Sequence, residues 1–468
     1  MAKIKIIELL KSLSSDELKL LDKFVKSPAH NKHAQVVSLF KYIRKNIDKP
    51  SDLIYGDKLY KYVFPNSPIE MQKLHHVSSY LFKTVEEFLS WHEWKTNETN
   101  QKIELLKSYK RLKQPQLFYK TFDNALGTLL NSHVKNDRFY TQRFQLEEIR
   151  LSQMRTDSKN KDYRLQELSN AQDEAFIIQK LKTACLLLSN QALSKETYDL
   201  GLIPYIISLC EHSEYLNNPT LSIYFHASKA LFDFQDDHAF RTLKSLLIQH
   251  WERFETAELY DIYIFAINYC INKLNKGEQV FMREVFDIYQ SGLEVGVFLE
   301  EGMLAPRTYS NIVMSGLRLG EFEAVENFIY DYKAKLPEKQ REGFFNYNLA
   351  HLFYEKNNYH AAMPLLLKID TRDTLHLSTS KTLLAKMYFE LNEIESLNSL
   401  LQSFRIFIKR KQMIGYHKEG YLNFIKYVHK LLNLKNSREK EETINEILST
   451  QILPEKKWLL AQLKKHSI

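Results

Sequence analysis

A chain of 468 residues with 44% hydrophobic and 26% charged residues has the make-up of a folded globular protein, and its length admits two to four domains or one long solenoid. Only 12 Gly and 11 Pro occur, too few turn formers for a long sheet-rich fold. The net charge of +8 divides into +9 over residues 1–150, −7 over 151–300 and +6 over 301–468, which sets basic ends around an acidic middle and does not by itself indicate nucleic acid.

Three cysteines, Cys185, Cys210 and Cys270, lie far apart with no Cys-x-x-Cys pair, so reduced thiols buried in helices are expected. The opening residues Met1-Ala2-Lys3-Ile4-Lys5-Ile6-Ile7-Glu8 place charges where a secretory signal needs an apolar stretch. Uncharged runs such as 262–272 fall well short of the roughly 18 apolar residues that span a bilayer. A soluble, cytoplasmic protein with no membrane partner is the expectation. The abundant Tyr and Phe are expected to pack between helices.

Residues 1–95 read as an N-terminal helical domain. Ser14-Ser15-Asp16-Glu17 is a capping box, and the helix behind it sets Leu18, Leu21, Phe24 and Val25 on one face before Ser27-Pro28 ends it. Val36, Val37, Phe40 and Ile43 mark a second helix, and 59–64 a short one. Pro65-Asn66-Ser67-Pro68 then turns into a long helix carrying Met71, Leu74, Val77, Leu81, Val85, Phe88 and Leu89. A short helix, a tight turn and a longer helix also fit a helix-turn-helix, in which Gln72, Lys73, His75 and His76 would face a DNA groove; a helical bundle is the simpler reading.

Residues 96–250 continue as irregular helical hairpins. Lys102, Lys107, Lys110, Arg111, Lys113 and Lys120 surround a break at Gln114-Pro115 and read as a solvated face. The stretch 154–163, with Thr156, Asp157, Ser158 and Asn160, has the composition of a linker. Residues 176–188 and 203–210 are apolar helices, and Asn217-Asn218-Pro219 is a break. Ala227, Ala239 and Leu243 fit a hairpin that turns at Gln235-Asp236-Asp237.

Residues 251–410 hold a repeat. Asn268, Asn311, Asn348 and Leu383 are each followed nine residues later by a turn residue, respectively Gly277, Gly320, Asn357 and Asn392, at intervals of 43, 37 and 35 residues. Gly and Asn accept the positive φ that ends a helix in a left-handed cap. Phe322, Tyr359 and Ile394 stand two residues beyond three of these turns as anchors, and Gln279 stands at the first. A unit of this length is a helical hairpin that cannot bury its apolar face alone, so neighbours must stack. Between the first two units, residues 292–302 read as a longer helix end plus linker, or as an exposed acidic loop that contacts a partner.

The unit with Tyr347, Asn348, Leu349, Ala350, Tyr354, Asn357, Tyr359 and Ala362 resembles the tetratricopeptide repeat. The flanking units depart from it, with Cys270 and Val313 where that family has Gly or Ala, and Leu397 where it has Ala. The resemblance covers about a third of the chain. As a whole the chain is also similar to bacterial helical proteins to which no function attaches. The tetratricopeptide resemblance implies a solenoid of hairpins whose first helices line a concave groove for a peptide or helix. By position, the groove residues it implies are Ser310, Met314, Arg318, Tyr347, His351, Tyr354, Thr382, Lys386 and Phe389. The corresponding positions Ile267, Ile271 and Leu274 are apolar and are expected to be covered by the preceding chain.

Residues 411–468 read as a basic C-terminal helical cap. Over 405–440, Arg405, Lys409, Arg410, Lys411, Lys418, Lys426, Lys430, Lys435, Arg438 and Lys440 face only Glu419 and Glu439. A polar cap keeps the open end of an array soluble; the alternative is a polyanion-binding surface centred on Arg405, Lys409, Arg410, Lys411, Lys418, Lys426 and Lys430.

Signatures of catalysis and metal binding are absent from the sequence. No Glu has a His three residues on, and there is no His-Glu-x-x-His or Gly-x-Ser-x-Gly. Gly415 and Gly420 imitate half a phosphate loop, but Tyr421-Leu422 follows where Lys and Ser or Thr are required. His30, His33, His75 and His76 read as surface residues, and Glu147-Glu148 as solvated. The expectation is an all-α protein, a helical-hairpin solenoid behind an N-terminal bundle. It would act as a non-enzymatic scaffold for a protein or peptide partner, with no metal or cofactor; nucleic-acid binding through the basic ends, possible also as a helix-turn-helix regulator, is the alternative.

Overall fold

The computed structural model describes residues 2–155, 163–194, 196–211, 213–369, 373–410 and 415–465, and over them the chain is all-α apart from one two-stranded hairpin. It divides into two compact units, Met1–Phe176 and Ile177–Ile468. The linker residues Thr156, Asp157, Ser158 and Asn160 lie outside the described residues.

The first unit begins with α1 (Ala2–Lys11), α2 (Ser15–Lys26), α3 (Ala34–Lys45), α4 (Ser51–Ile54), α5 (Asp57–Val63) and α6 (Met71–Thr96). The capping box forms: the Ser14 hydroxyl accepts from the Glu17 amide, and the Glu17 carboxylate accepts from the Ser14 amide. Helices α1, α2, α3 and α5 all pack on α6. One core joins them, with Leu21, Val25, Phe40, Leu81, Val85 and Phe88 wholly buried. On α6, Gln72, Lys73 and His76 are exposed and His75 is half-buried. Lys73 pairs with Glu70 at 2.7 Å.

Helices α7 (Glu98–Arg111), α8 (Pro115–Leu130) and α9 (Asp137–Met154) pack on one another, and α10 (Leu165–Leu193) contains the boundary between the units. Pro115 opens α8 at its first turn, where the missing N–H costs nothing. Glu147 and Glu148 on α9 part company. Glu148 is exposed, but Glu147 is only 8% exposed and pairs at 2.5 Å with Arg150, itself 5% exposed. The expectation of a solvated pair fails because Arg150, one turn on, gives Glu147 the partner that a buried charge requires.

The second unit is built of hairpins. After α11 (Ile203–Glu211) come α12 (Pro219–Phe232) with α13 (Asp237–His250), α14 (Thr256–Asn275) with α15 (Phe281–Glu294), and α16 (Pro306–Leu319) with α17 (Phe322–Asp331). Next are α18 (Glu338–Glu355) with α19 (Tyr359–Leu367), and α20 (Thr374–Glu390) with α21 (Ile394–Arg410). Each helix packs on its hairpin partner, successive hairpins meet through α13 with α14, α15 with α16, α17 with α18 and α19 with α20, and first helices touch at α12 with α14, α16 with α18 and α18 with α20. The last three helices, α22 (Gly415–Leu432), α23 (Ser437–Ser449) and α24 (Lys456–Lys465), pack on one another, and α22 on α21.

All four expected turn residues have left-handed backbone: Gly277 at φ 98°, Gly320 at 75°, Asn357 at 57° and Asn392 at 60°. The anchors are less uniform. Phe322 and Tyr359 are half-buried at the start of their helices, whereas Ile394 is 38% exposed. Residues 292–302 also depart from the expected helix end and linker. Helix α15 stops at Glu294, and β1 (Leu299–Glu300) pairs antiparallel with β2 (Met303–Leu304) through a turn with positive φ at Glu301 and Gly302. Phe298 fixes this insert. Its ring lies against Gly292, where any Cβ would overlap it, and it meets Tyr263 and Tyr289 at 5.8 and 5.4 Å.

Polar clasps tie the hairpins to one another and to α10. Asn268 donates to Ser189 at 2.7 Å, and Tyr269 donates to Asp237 at 2.7 Å. Lys273, 3% exposed, lies between Asp237 at 3.0 Å and Glu278 at 2.9 Å. Asn348 donates to Ser310 at 3.0 Å, linking α18 to α16. Where the backbones approach most closely the side chain has vanished: a Cβ on Gly316 of α16 would collide with Val325 on α17 and Phe286 on α15. Gly316→Ala therefore gains helix propensity but is expected to lose about 2 kcal/mol to overpacking, read as a lower urea midpoint at unchanged slope.

Candidate interaction face of the helical array

The nine residues expected to line a groove all lie on α16, α18 and α20, whose order in space follows their order in sequence. Their surroundings differ sharply along the face. On α16, Ser310 and Met314 are half-buried and Arg318 is exposed. On α18, Tyr347 is half-buried, while His351 and Tyr354 are 7% and 9% exposed. On α20, Thr382 and Lys386 are 5% and 6% exposed and Phe389 is half-buried.

The C-terminal segment of the chain explains the buried members. Lys386 Nζ pairs with Glu455 at 2.8 Å and lies 4.6 Å from the Tyr354 ring centroid and 5.9 Å from that of Trp458. The carboxylate and the two rings give the buried ammonium partners in place of water. Phe389 meets Trp458 edge to face at 5.5 Å. Glu390, one residue on, accepts from Tyr354 at 2.8 Å, from Trp458 Nε1 at 2.5 Å, from Gln462 at 3.2 Å and from the Tyr359 hydroxyl. Burial and then the Glu390 carboxylate push the Tyr354 and Tyr359 phenols well above their usual range.

Between α18, α20 and this segment lies a cavity of about 70 Å³, lined in part by Tyr347, His351, Thr382, Lys386 and Glu455. It has room for a few water molecules and not for a ligand. His351 Nδ1 and Asn348 Oδ1 are buried and, among the described residues, have no hydrogen-bond partner. The other atoms of Asn348 are engaged, its amide nitrogen donating to Ser310 and to the Phe344 carbonyl.

The N-terminal continuation of the face is closed in part, with Ile267 buried and Ile271 and Leu274 half-buried. Of the residues expected on a polyanion surface, Lys426 and Lys430 both pair with Glu446, at 3.3 and 2.6 Å, and hold its carboxyl below the usual range. Arg405, Lys409 and Arg410 are exposed on α21, and Lys418 is half-buried on α22. Lys411 lies outside the described residues. The cysteines Cys185, Cys210 and Cys270 are free, buried thiols.

No family model, curated protein or solved structure matches the chain. Among the described residues no group of three His, Cys, Asp or Glu side chains is placed to hold a metal ion, and no helix is long and apolar enough to cross a membrane.

The repeat pattern places the nine expected residues on α16, α18 and α20 and gives no sign of Glu390, Glu455, Trp458 and Gln462. Glu390 adjoins Phe389 and lies on the helix that supplied three of the nine. The others sit 68 to 72 residues from their partners on α20, beyond any local pattern.

Burial, and then the charge of Lys386, lowers the His351 pKa to about 4. An unfolded chain protonates this histidine near pH 6.5. Between these values the unfolded state binds the extra proton, so acidification through this range destabilises the fold by up to about 1.4 kcal/mol per pH unit from this residue. Urea unfolding between pH 7 and pH 5 should show a shallower loss of stability in His351→Gln than in the parent. Equal slopes would show that His351 is not held neutral.

Proposed function

We propose that the protein is a non-enzymatic scaffold whose second unit, a tetratricopeptide-like array, holds a segment of a partner protein along its first helices. The observation that supports this most is how the same face treats the chain itself. Lys386 and Glu390 grip Glu455, Trp458 and Gln462 by an ion pair, hydrogen bonds to a carboxylate and aromatic contacts. A surface that orders one segment by charge and aromatic packing suits another of similar chemistry.

The part of the face left accessible carries matching groups. Met314 offers an adaptable apolar contact, Tyr347 an aromatic one, and Arg318 an exposed guanidinium. The segment they suit carries a carboxylate next to a bulky apolar or aromatic side chain. Binding there requires no rearrangement of the closed end at Lys386.

Photo-crosslinking in the cells that express the protein tests this. Benzoylphenylalanine in place of Met314 or Arg318 should yield the same discrete crosslinked protein, and the same residue in place of Glu395, exposed on α21, should not. In the same cells Met314→Lys with Arg318→Glu should lower co-purification of that protein more than tenfold. Equal labelling from all three positions, or unchanged co-purification, would contradict the scaffold reading of this face.

A further inference from the structure

A second concave feature lies between the α14–α15 and α16–α17 hairpins, on residues that the α16–α20 face does not use. A cavity of about 710 Å³ opens between the start of α14, the β1–β2 hairpin and the start of α16. Its apolar lining includes Tyr260, Val297, Phe298, Leu299, Met303 and Leu304. Asp261, Glu300 and Glu301, all exposed, also line it, and no Lys, Arg or His is among its described lining residues. Within the described residues none of these three carboxylates is paired with a cation.

The size falls within the range of sites that take a side chain or small ligand, roughly 300–1,000 Å³. The charge is decided by magnitude. The N-termini of α14 and α16 each contribute about half a positive charge, against three full carboxylates, so the mouth is net negative. Tyr260, 38% exposed, adds an aromatic ring that meets Phe298 edge to face at 5.9 Å. An exposed ring beside carboxylates attracts a guanidinium or ammonium group. The wall is preformed. Phe298 is clamped against Gly292, Tyr263 and Tyr289, and the two strands pair Leu299 with Leu304 and Glu300 with Met303. A rigid wall spares a ligand the cost of ordering it.

We propose that this cavity binds a segment of a partner protein in which a bulky apolar side chain is flanked by arginine or lysine. The apolar side chain enters between Phe298 and Met303, and the flanking cations meet Asp261, Glu300, Glu301 and the Tyr260 ring. The site is separate from the face at Met314 and Arg318, so either can fail without the other.

The probe is a fluorescein-labelled peptide with arginines on both sides of a leucine–phenylalanine pair, read by anisotropy on the full chain. Two control peptides replace the leucine–phenylalanine pair by glycines or the arginines by glutamates. The parent protein should bind the first peptide and bind both controls more than tenfold more weakly. Glu300→Lys with Glu301→Lys should weaken binding more than tenfold, and Tyr260→Ala severalfold. Arg318→Glu should leave it unchanged. The two lysine substitutions sit on an exposed turn, so they decide the matter if Tyr260→Ala does not fold. Equal binding of the glycine peptide, undiminished binding by the double lysine variant, or an effect of Arg318→Glu alone would each overturn the proposal.

Discussion

No hairpin of the second unit can cover its own apolar surface, and the stack follows from that constraint. On α16, Tyr309, Ile312, Val313 and Leu317 are all buried, more than α17 alone can cover, and the helix packs on α15 and α18 as well. Each such side chain contributes about 1.5–3 kcal/mol on leaving water, whereas a hydrogen bond between hairpins contributes about 1. Packing therefore holds the array together. The clasps at Asn268, Tyr269 and Asn348 add less energy but fix register, since a slip by one turn would leave buried polar groups without partners. Close approach needs small residues, and Gly316, Ala350, Ala362 and Ala385 supply them at the contacts between helices.

A stack of this kind ends in an exposed apolar face unless something closes it. At the C-terminal end α22, α23 and α24 share one core with α21, in which Leu401, Phe404, Ile408, Phe424, Leu459 and Leu463 are wholly buried. The same helices bring Glu455 and Trp458 onto Lys386 and Glu390. Closing the stack and filling one end of its first-helix face are thus a single arrangement. It leaves Met314, Arg318 and Tyr347 as the accessible stretch, and it turns His351 from a surface contact into a buried neutral histidine.

Much of the fold was legible because its signals are local. A left-handed backbone at four turns leaves a chemical trace, Gly or Asn, that can be read residue by residue. The capping box at Ser14 and the break at Asn218-Pro219 are equally local, and Asn218 does cap α12. The hairpin at 299–304 was hidden because strands of two residues show no alternation, and what fixes them is the contact of Phe298 with Gly292. The burial of Glu147 depended on Arg150, visible in the sequence but not distinguishable from a surface pair. The contacts of Lys386 depended on residues about 70 positions away, which no periodicity reaches.

The central claim is that hairpins stand only because their neighbours cover them. Hydrogen exchange by mass spectrometry on the full chain and on a chain ending at residue 410 tests it directly. Removing the last three helices uncovers Leu401, Phe404 and Ile408. Protection should then fall first and furthest in 374–410, less in 338–367, and least in 256–294. Protection lost equally across the whole second unit, or retained in 374–410, would contradict nearest-neighbour stacking as the source of its stability.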